Sequence, residues 1–105
     1  MFAEKSWGSY RVMDVESEAL TIKVTLNPGH GMNYHSHSRR DEVWVVISGQ
    51  GEATVDGVKR PVAPGDVICM KAGCCHTVDA ITELKLIEVQ LGQDITVTDK
   101  QKHER

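Results

Sequence analysis

The sequence predicts an all-β fold, and three observations carry that expectation. No stretch sustains a 3.6-residue apolar period over three turns. Residues 20–26 alternate strictly between apolar and polar, and Gly and Pro punctuation cuts the rest into short segments. Together they predict about eight to ten short strands, arranged as a sandwich, jelly roll or small barrel.

The elements follow in order. Leu20, Ile22, Val24 and Leu26 face one way, and Thr21, Lys23 and Thr25 the other, which is the signature of a half-buried strand. Asn27-Pro28-Gly29-His30-Gly31 reads as a turn, followed by a segment at 32–37 read as strand and the polar stretch Ser38-Arg39-Arg40-Asp41. Residues 42–48 are β-branched and aromatic and predict a strand, broken by Gly49-Gln50-Gly51. Residues 52–55 and 58–60 flank Asp56-Gly57, a two-residue hairpin signal. Pro64-Gly65 turns the chain into a strand over 66–70, and Ala72-Gly73 marks the next turn. Residues 83–91 read as a last strand of mixed phase, with a bulge as its expected cause. The polar tail 92–105 is expected to form a surface strand, an arm or a frayed end.

At 105 residues the expectation is a single domain, 1–105, with its core over about 7–91. A formal charge of −3 removes the long-range attraction that a nucleic-acid or acidic-membrane partner needs. No apolar run approaches the roughly 20 residues of a membrane span. Residues 1–10 carry no apolar segment that would signal export. Three Cys, two of them adjacent, are read as reduced thiols in a cytoplasmic protein. Cys74 and Cys75 are read as small loop residues, and a disulfide between neighbours would strain the intervening peptide; no role is assigned to Cys69.

The residues with chemistry cluster by spacing. On a strand, His35 and His37 send both imidazoles to one face, with Cα atoms about 6.5–7 Å apart. Two such rings can converge on one ion. Glu42, across a short polar turn, can add a carboxylate oxygen, and His76 a third imidazole. Three nitrogens and one carboxylate suit one divalent transition metal, Zn, Mn, Fe, Ni, Co or Cu, and leave coordination positions free. Arg40 and Lys71 flank these residues and are the candidate cations for a substrate carboxylate or phosphate.

Gly29, five residues, His35-Ser36-His37, four residues, Glu42, six residues and Gly49 match the first motif of the cupin superfamily at every specified position. Gly65, five residues, Lys71, one residue, Gly73, two residues and His76 resemble the second motif, with Lys71 where the family has Pro and Ala80 where it often has Asn. The resemblance covers most of residues 7–91. It implies a double-stranded β-helix, or jelly-roll barrel, with a metal held inside by His35, His37, Glu42 and His76. It also implies a small-molecule ligand in the barrel and pairing as a homodimer. A narrower resemblance, to the cupin domain of type II mannose-6-phosphate isomerases, runs through Trp7-Gly8-Ser9-Tyr10, Asn27-Pro28-Gly29, Trp44-Val45-Val46 and Ile87-Glu88-Val89-Gln90. That subfamily has Gln where His35 stands, and its Arg-bearing tail is not reproduced, since Val97 follows Asp94-Ile95-Thr96. Trp7 and Trp44 are read here as core or rim aromatics.

Three functions are compatible with these residues: a metal-dependent isomerase of sugar phosphates, an Fe-dependent dioxygenase, and a non-catalytic cupin that captures a small ligand. As one domain, the chain is not expected to work as a DNA-binding cupin regulator or as a nucleotidyltransferase fusion.

Overall fold

The computed structural model describes residues 2–36, 40–92 and 101–102. In chain order the strands are β1 (Phe2–Lys5), β2 (Gly8–Val15), β3 (Ala19–Leu26), β4 (His35–Ser36), β5 (Asp41–Ser48), β6 (Gly51–Val55), β7 (Val58–Val62), β8 (Val67–Met70), β9 (His76–Ala80), β10 (Leu84–Leu91) and β11 (Gln101–Lys102). They form two antiparallel sheets, ordered β1-β2-β3-β10-β5-β8 and β11-β4-β9-β6-β7. The described residues contain no helix, and therefore none long and apolar enough to cross a membrane. The predicted all-β jelly roll is what forms.

Strand alternation places the core between the sheets. Ile22, Val24 and Leu26 of β3 and Trp44 and Val46 of β5 turn inward from the larger sheet, to meet Ala53, Val78 and Ala80 of the smaller one. The hairpin at 56–57 is as expected: Asp56 and Gly57 have φ of 47° and 81°, the positive pair that a two-residue turn needs to match strand twist.

The structure differs from the sequence reading in three places. The β1–β2 hairpin is not legible in the sequence. Its apolar residues Phe2, Met13 and Val15 are exposed, and a register shift between Val12 and Asp14 breaks the alternation that would reveal β2. The segment 32–37 is strand only at His35–Ser36 among the described residues. The mixed phase of 84–91 comes chiefly from its inner row: Leu84 and Leu86 are followed inward by Glu88 and Gln90, while Ile87, Val89 and Leu91 face out. A register shift at Lys85/Leu86 against β5 is also present. Of the tail, Gly92 and Gln101–Lys102 are described: the Gly92 N–H donates to the Glu18 carbonyl at 3.0 Å and Gln101–Lys102 pairs with β4, while 93–100 and 103–105 lie outside the described residues.

The inward row thus changes character along the barrel. Leu86 pairs with Val46 at the apolar end, Glu88 with Trp44 next, and Gln90 with Glu42 at the polar end. The second class of motif residue, glycine, shapes the connections. Gly49 has φ of 91°, and a Cβ there would stand 1.9 Å from the Glu83 carbonyl oxygen. Gly65 has φ of 92°, but a Cβ there would meet nothing within 4 Å. Gly49→Ala should therefore destabilise the protein by about 2–4 kcal/mol, combining strain with a backbone clash, whereas Gly65→Asn should cost less than about 1 kcal/mol because Asn tolerates this region. Urea unfolding midpoints of the two variants check the contrast.

Candidate metal centre

His35 and His76 are direct partners in the β4–β9 ladder, so their rings meet on the inner face, with centroids 4.4 Å apart at 72°. Glu42 comes from β5 in the other sheet, and its Oε2 lies 3.5 Å from His76 Nε2. All three residues are buried, and one ligand atom from each lies within 4.8 Å of the others. An ion at about 2.0–2.2 Å from N and O donors needs those donors roughly 3–4 Å apart, so a small closure brings them onto one ion. The hydrogen bonds prepare the imidazoles. His76 Nδ1 faces the Cys74 carbonyl at 3.0 Å, and His35 Nδ1 faces the Asn33 carbonyl. With Nδ1–H donated to a carbonyl, Nε2 of each ring is the lone-pair nitrogen turned to the centre. This donor set fits a divalent transition metal.

The other sequence candidates are placed differently. His37 lies outside the described residues. Arg40 is 7% exposed, and its Nε is 3.4 Å from Glu42 Oε2. Lys71 does not join the site. Met70 ends β8 facing inward, so the next residue is turned out, where Lys71 Nζ sits 3.6 Å from Asp41 with its side chain 89% exposed. Cys69 is exposed, and no cysteine belongs to a metal-competent group among the described residues. The Cys74 thiol is pushed up to about 11 by burial and by Asp56, which keeps it protonated and unreactive. What that loop contributes is the Cys74 carbonyl.

An open cavity of about 620 Å³ leads to this centre. Its lining includes His35, Arg40, Glu88 and Gln90, with Lys5, Trp7 and Tyr10 nearer the N-terminal strands. Lys5 Nζ stands 6.0 Å above the Tyr10 ring centroid.

The profile of the cupin domain matches residues 22–90 of the chain. The chain belongs to the cupin family. It is 29% identical over 97 residues to mannose-1-phosphate guanylyltransferase from Escherichia coli (strain K12), covering 90% of this chain and 20% of that protein. The chain thus spans about a fifth of the length of such curated relatives. Among solved structures, a Klebsiella pneumoniae protein with a double-stranded β-helix domain superposes with a TM-score of 0.79 at 20% identity, covering 90% of this chain and 82% of that one. Oxalate decarboxylase from Bacillus subtilis superposes with a TM-score of 0.84 at 20% identity, covering 95% of this chain and 28% of that one.

In this cupin the centre is backed by a hydrogen-bond network that the sequence does not reveal. Trp44 is fully buried, as expected of a core aromatic. Its Nε1–H also donates to Glu88 Oε1 at 2.8 Å and approaches Glu42 Oε1 at 3.3 Å. Its ring stands edge-on to His76 at 5.3 Å. One indole therefore touches two of the three metal-competent residues. Gln90 Nε2 donates to Glu88 Oε2 at 2.6 Å. Glu88 is 7% exposed, and burial together with the Glu42 carboxylate pushes its carboxyl up to about 8. The available signal is the pair of polar residues at alternate inward positions of an otherwise apolar strand.

Two outcomes follow from the network. Trp44→Phe keeps an aromatic ring but removes the N–H that holds Glu42, and should weaken metal affinity about 10–100-fold, measured by competition with a chromophoric chelator. Glu88 in the folded chain keeps a proton that the unfolded chain releases at its ordinary value of 4.5. Its contribution to stability is therefore complete below about pH 4.5 and lost as pH rises through about 8. Glu88→Gln cannot ionise, so with chelator present its Tm should gain on that of the wild type between about pH 5 and about pH 9.

Proposed function

We propose that this cupin binds a divalent transition metal through His35, Glu42 and His76, with His37 as the fourth ligand implied by the resemblance, and acts on a small phosphorylated sugar in the manner of a mannose-6-phosphate isomerase. The observation that carries the reading is the composition of the cavity beside the metal-competent residues: two cations, Arg40 and Lys5, two aromatics, Trp7 and Tyr10, and the polar pair Glu88 and Gln90. The cations suit an anionic group, the aromatics suit the apolar face of a sugar ring, and the polar pair suits hydroxyls. The relatives named mannose-1-phosphate guanylyltransferases support a phosphosugar context. When bound, the metal supplies Lewis-acid polarisation of a carbonyl or hydroxyl oxygen. The chain's own part is to hold that oxygen beside His35 and to fix the anionic end with Arg40 and Lys5. Homodimer formation belongs to the same proposal and is checked by sedimentation equilibrium.

The test loads the purified protein separately with Zn, Mn, Co, Ni and Fe(II) and follows interconversion of mannose 6-phosphate and fructose 6-phosphate. Turnover is expected with at least one metal and none after chelation. Lys5→Met should weaken mannose 6-phosphate binding about threefold to tenfold, while Lys71→Met leaves it unchanged. No turnover with any metal, or equal binding of mannose and mannose 6-phosphate, overturns the reading. Binding without turnover would make the chain a ligand-capturing cupin, and O₂ uptake by the Fe(II) form a dioxygenase.

A further inference from the structure

Glu88 and Gln90 occupy successive inward positions on β10, both buried, both on the wall of the cavity that contains His35. They are joined to one another by the Gln90 Nε2 donation at 2.6 Å. Their hydrogen-bonding capacity is not used up. Glu88 accepts one bond at each oxygen, from Trp44 and from Gln90. A carboxyl that keeps its proton still has acceptor positions beyond those two, so acceptor capacity is left over. Gln90 is 2% exposed, and its Oε1 has no hydrogen-bond partner among the described residues. Leaving a buried amide oxygen without a donor is unfavourable, and native proteins rarely do so without a purpose.

Packing alone does not require this pair. An apolar residue at position 90 would continue the row begun by Leu84 and Leu86. Instead the strand presents acceptors, fixed in place by Trp44 from behind, to a cavity that also carries Trp7 and Tyr10. Chemistry that fills acceptors is a hydroxyl or N–H donor, and an adjacent carboxyl and amide suit two neighbouring hydroxyls. Aromatic rings on the same cavity suit the C–H face of a pyranose or polyol.

We propose that Glu88 and Gln90 are the hydroxyl-reading residues of this cavity, with Gln90 Oε1 accepting a hydrogen bond from a hydroxyl of a polyhydroxylated ligand and Glu88 accepting from its neighbour. The assignment rests on the cavity being the ligand site, as proposed above, and names the feature of the ligand by which it is selected.

The test uses full-length, metal-loaded protein and calorimetry with mannose 6-phosphate and its monodeoxy analogues at C2, C3 and C4. For the wild type, two analogues at neighbouring carbons should bind about tenfold more weakly than mannose 6-phosphate. Gln90→Met and Glu88→Gln should each lose a similar factor for mannose 6-phosphate, and each should bind one of those two analogues, a different one for each variant, as the wild type does. For Gln90→Met, metal affinity should stay within about twofold of the wild type, because Gln90 is not among the metal-competent three and bonds Glu88 rather than Glu42. Gln90→Asn keeps the amide but withdraws it by one methylene and should show the same pattern, which covers failure of Gln90→Met to fold. Variants that bind mannose 6-phosphate as tightly as the wild type overturn the proposal. So do variants that lose affinity equally for every analogue, because that is the result of a structural role. Binding with this pattern but without turnover would overturn the isomerase reading and leave the hydroxyl-reading pair standing. A wild type that binds none of these phosphosugars overturns both.

Discussion

The pairing of β10 with β5 is the constraint on which the site depends. The register that sets Leu86 against Val46 also sets Glu88 against Trp44 and Gln90 against Glu42. One ladder therefore runs from the hydrophobic core into the candidate metal centre, with no loop between them. Because side chains alternate with a period of two, a one-residue slip of β10 would turn Glu88 and Gln90 to the outside and Ile87 and Val89 into the core. The leucine end of the ladder makes that slip unfavourable, since Leu84 and Leu86 are completely buried. Hydrophobic packing at one end thereby holds polar chemistry in place at the other.

Two carboxylates buried side by side would be costly without compensation. Here the compensation is distributed. Glu42 lies beside the Arg40 guanidinium and the His76 ring, and Trp44 places one N–H between it and Glu88. The rise in the Glu88 carboxyl shows that this compensation is incomplete for the inner member of the pair. A cation brought to His35, Glu42 and His76 would relieve the same repulsion. The arrangement is consequently better suited to a charged centre than to a purely structural one.

The N-terminal strands contribute to the cavity rather than to the metal-competent group. β1 and β2 extend the larger sheet beyond β3 and bring Lys5, Trp7 and Tyr10 to the cavity wall. Lys71, although close in sequence to His76, is separated from it by strand alternation and by the Ala72–Cys75 turn. Proximity along the chain is a poor guide to who faces the cavity; the side of the sheet decides.

Much of this protein was determined by local sequence. The alternation of residues 20–26, the Asp56-Gly57 turn and the spacing of glycines, histidines and Glu42 each express a short-range rule, whether side-chain period, positive φ or ligand spacing. Those rules were enough for the all-β class and for nominating His35, Glu42 and His76. Tertiary structure alone decided the rest, because it depends on pairing between distant segments. Residues 44 and 88 meet only once β5 and β10 are in register, which is why Trp44 reads as a core aromatic in the sequence and as the link between two carboxylates in the fold. Likewise, the charge of Lys5 and Lys71 is equal in the sequence, and only the fold separates them: β1 brings Lys5 to the cavity lining, whereas Lys71, just past the inward-facing end of β8, turns to Asp41 at the surface.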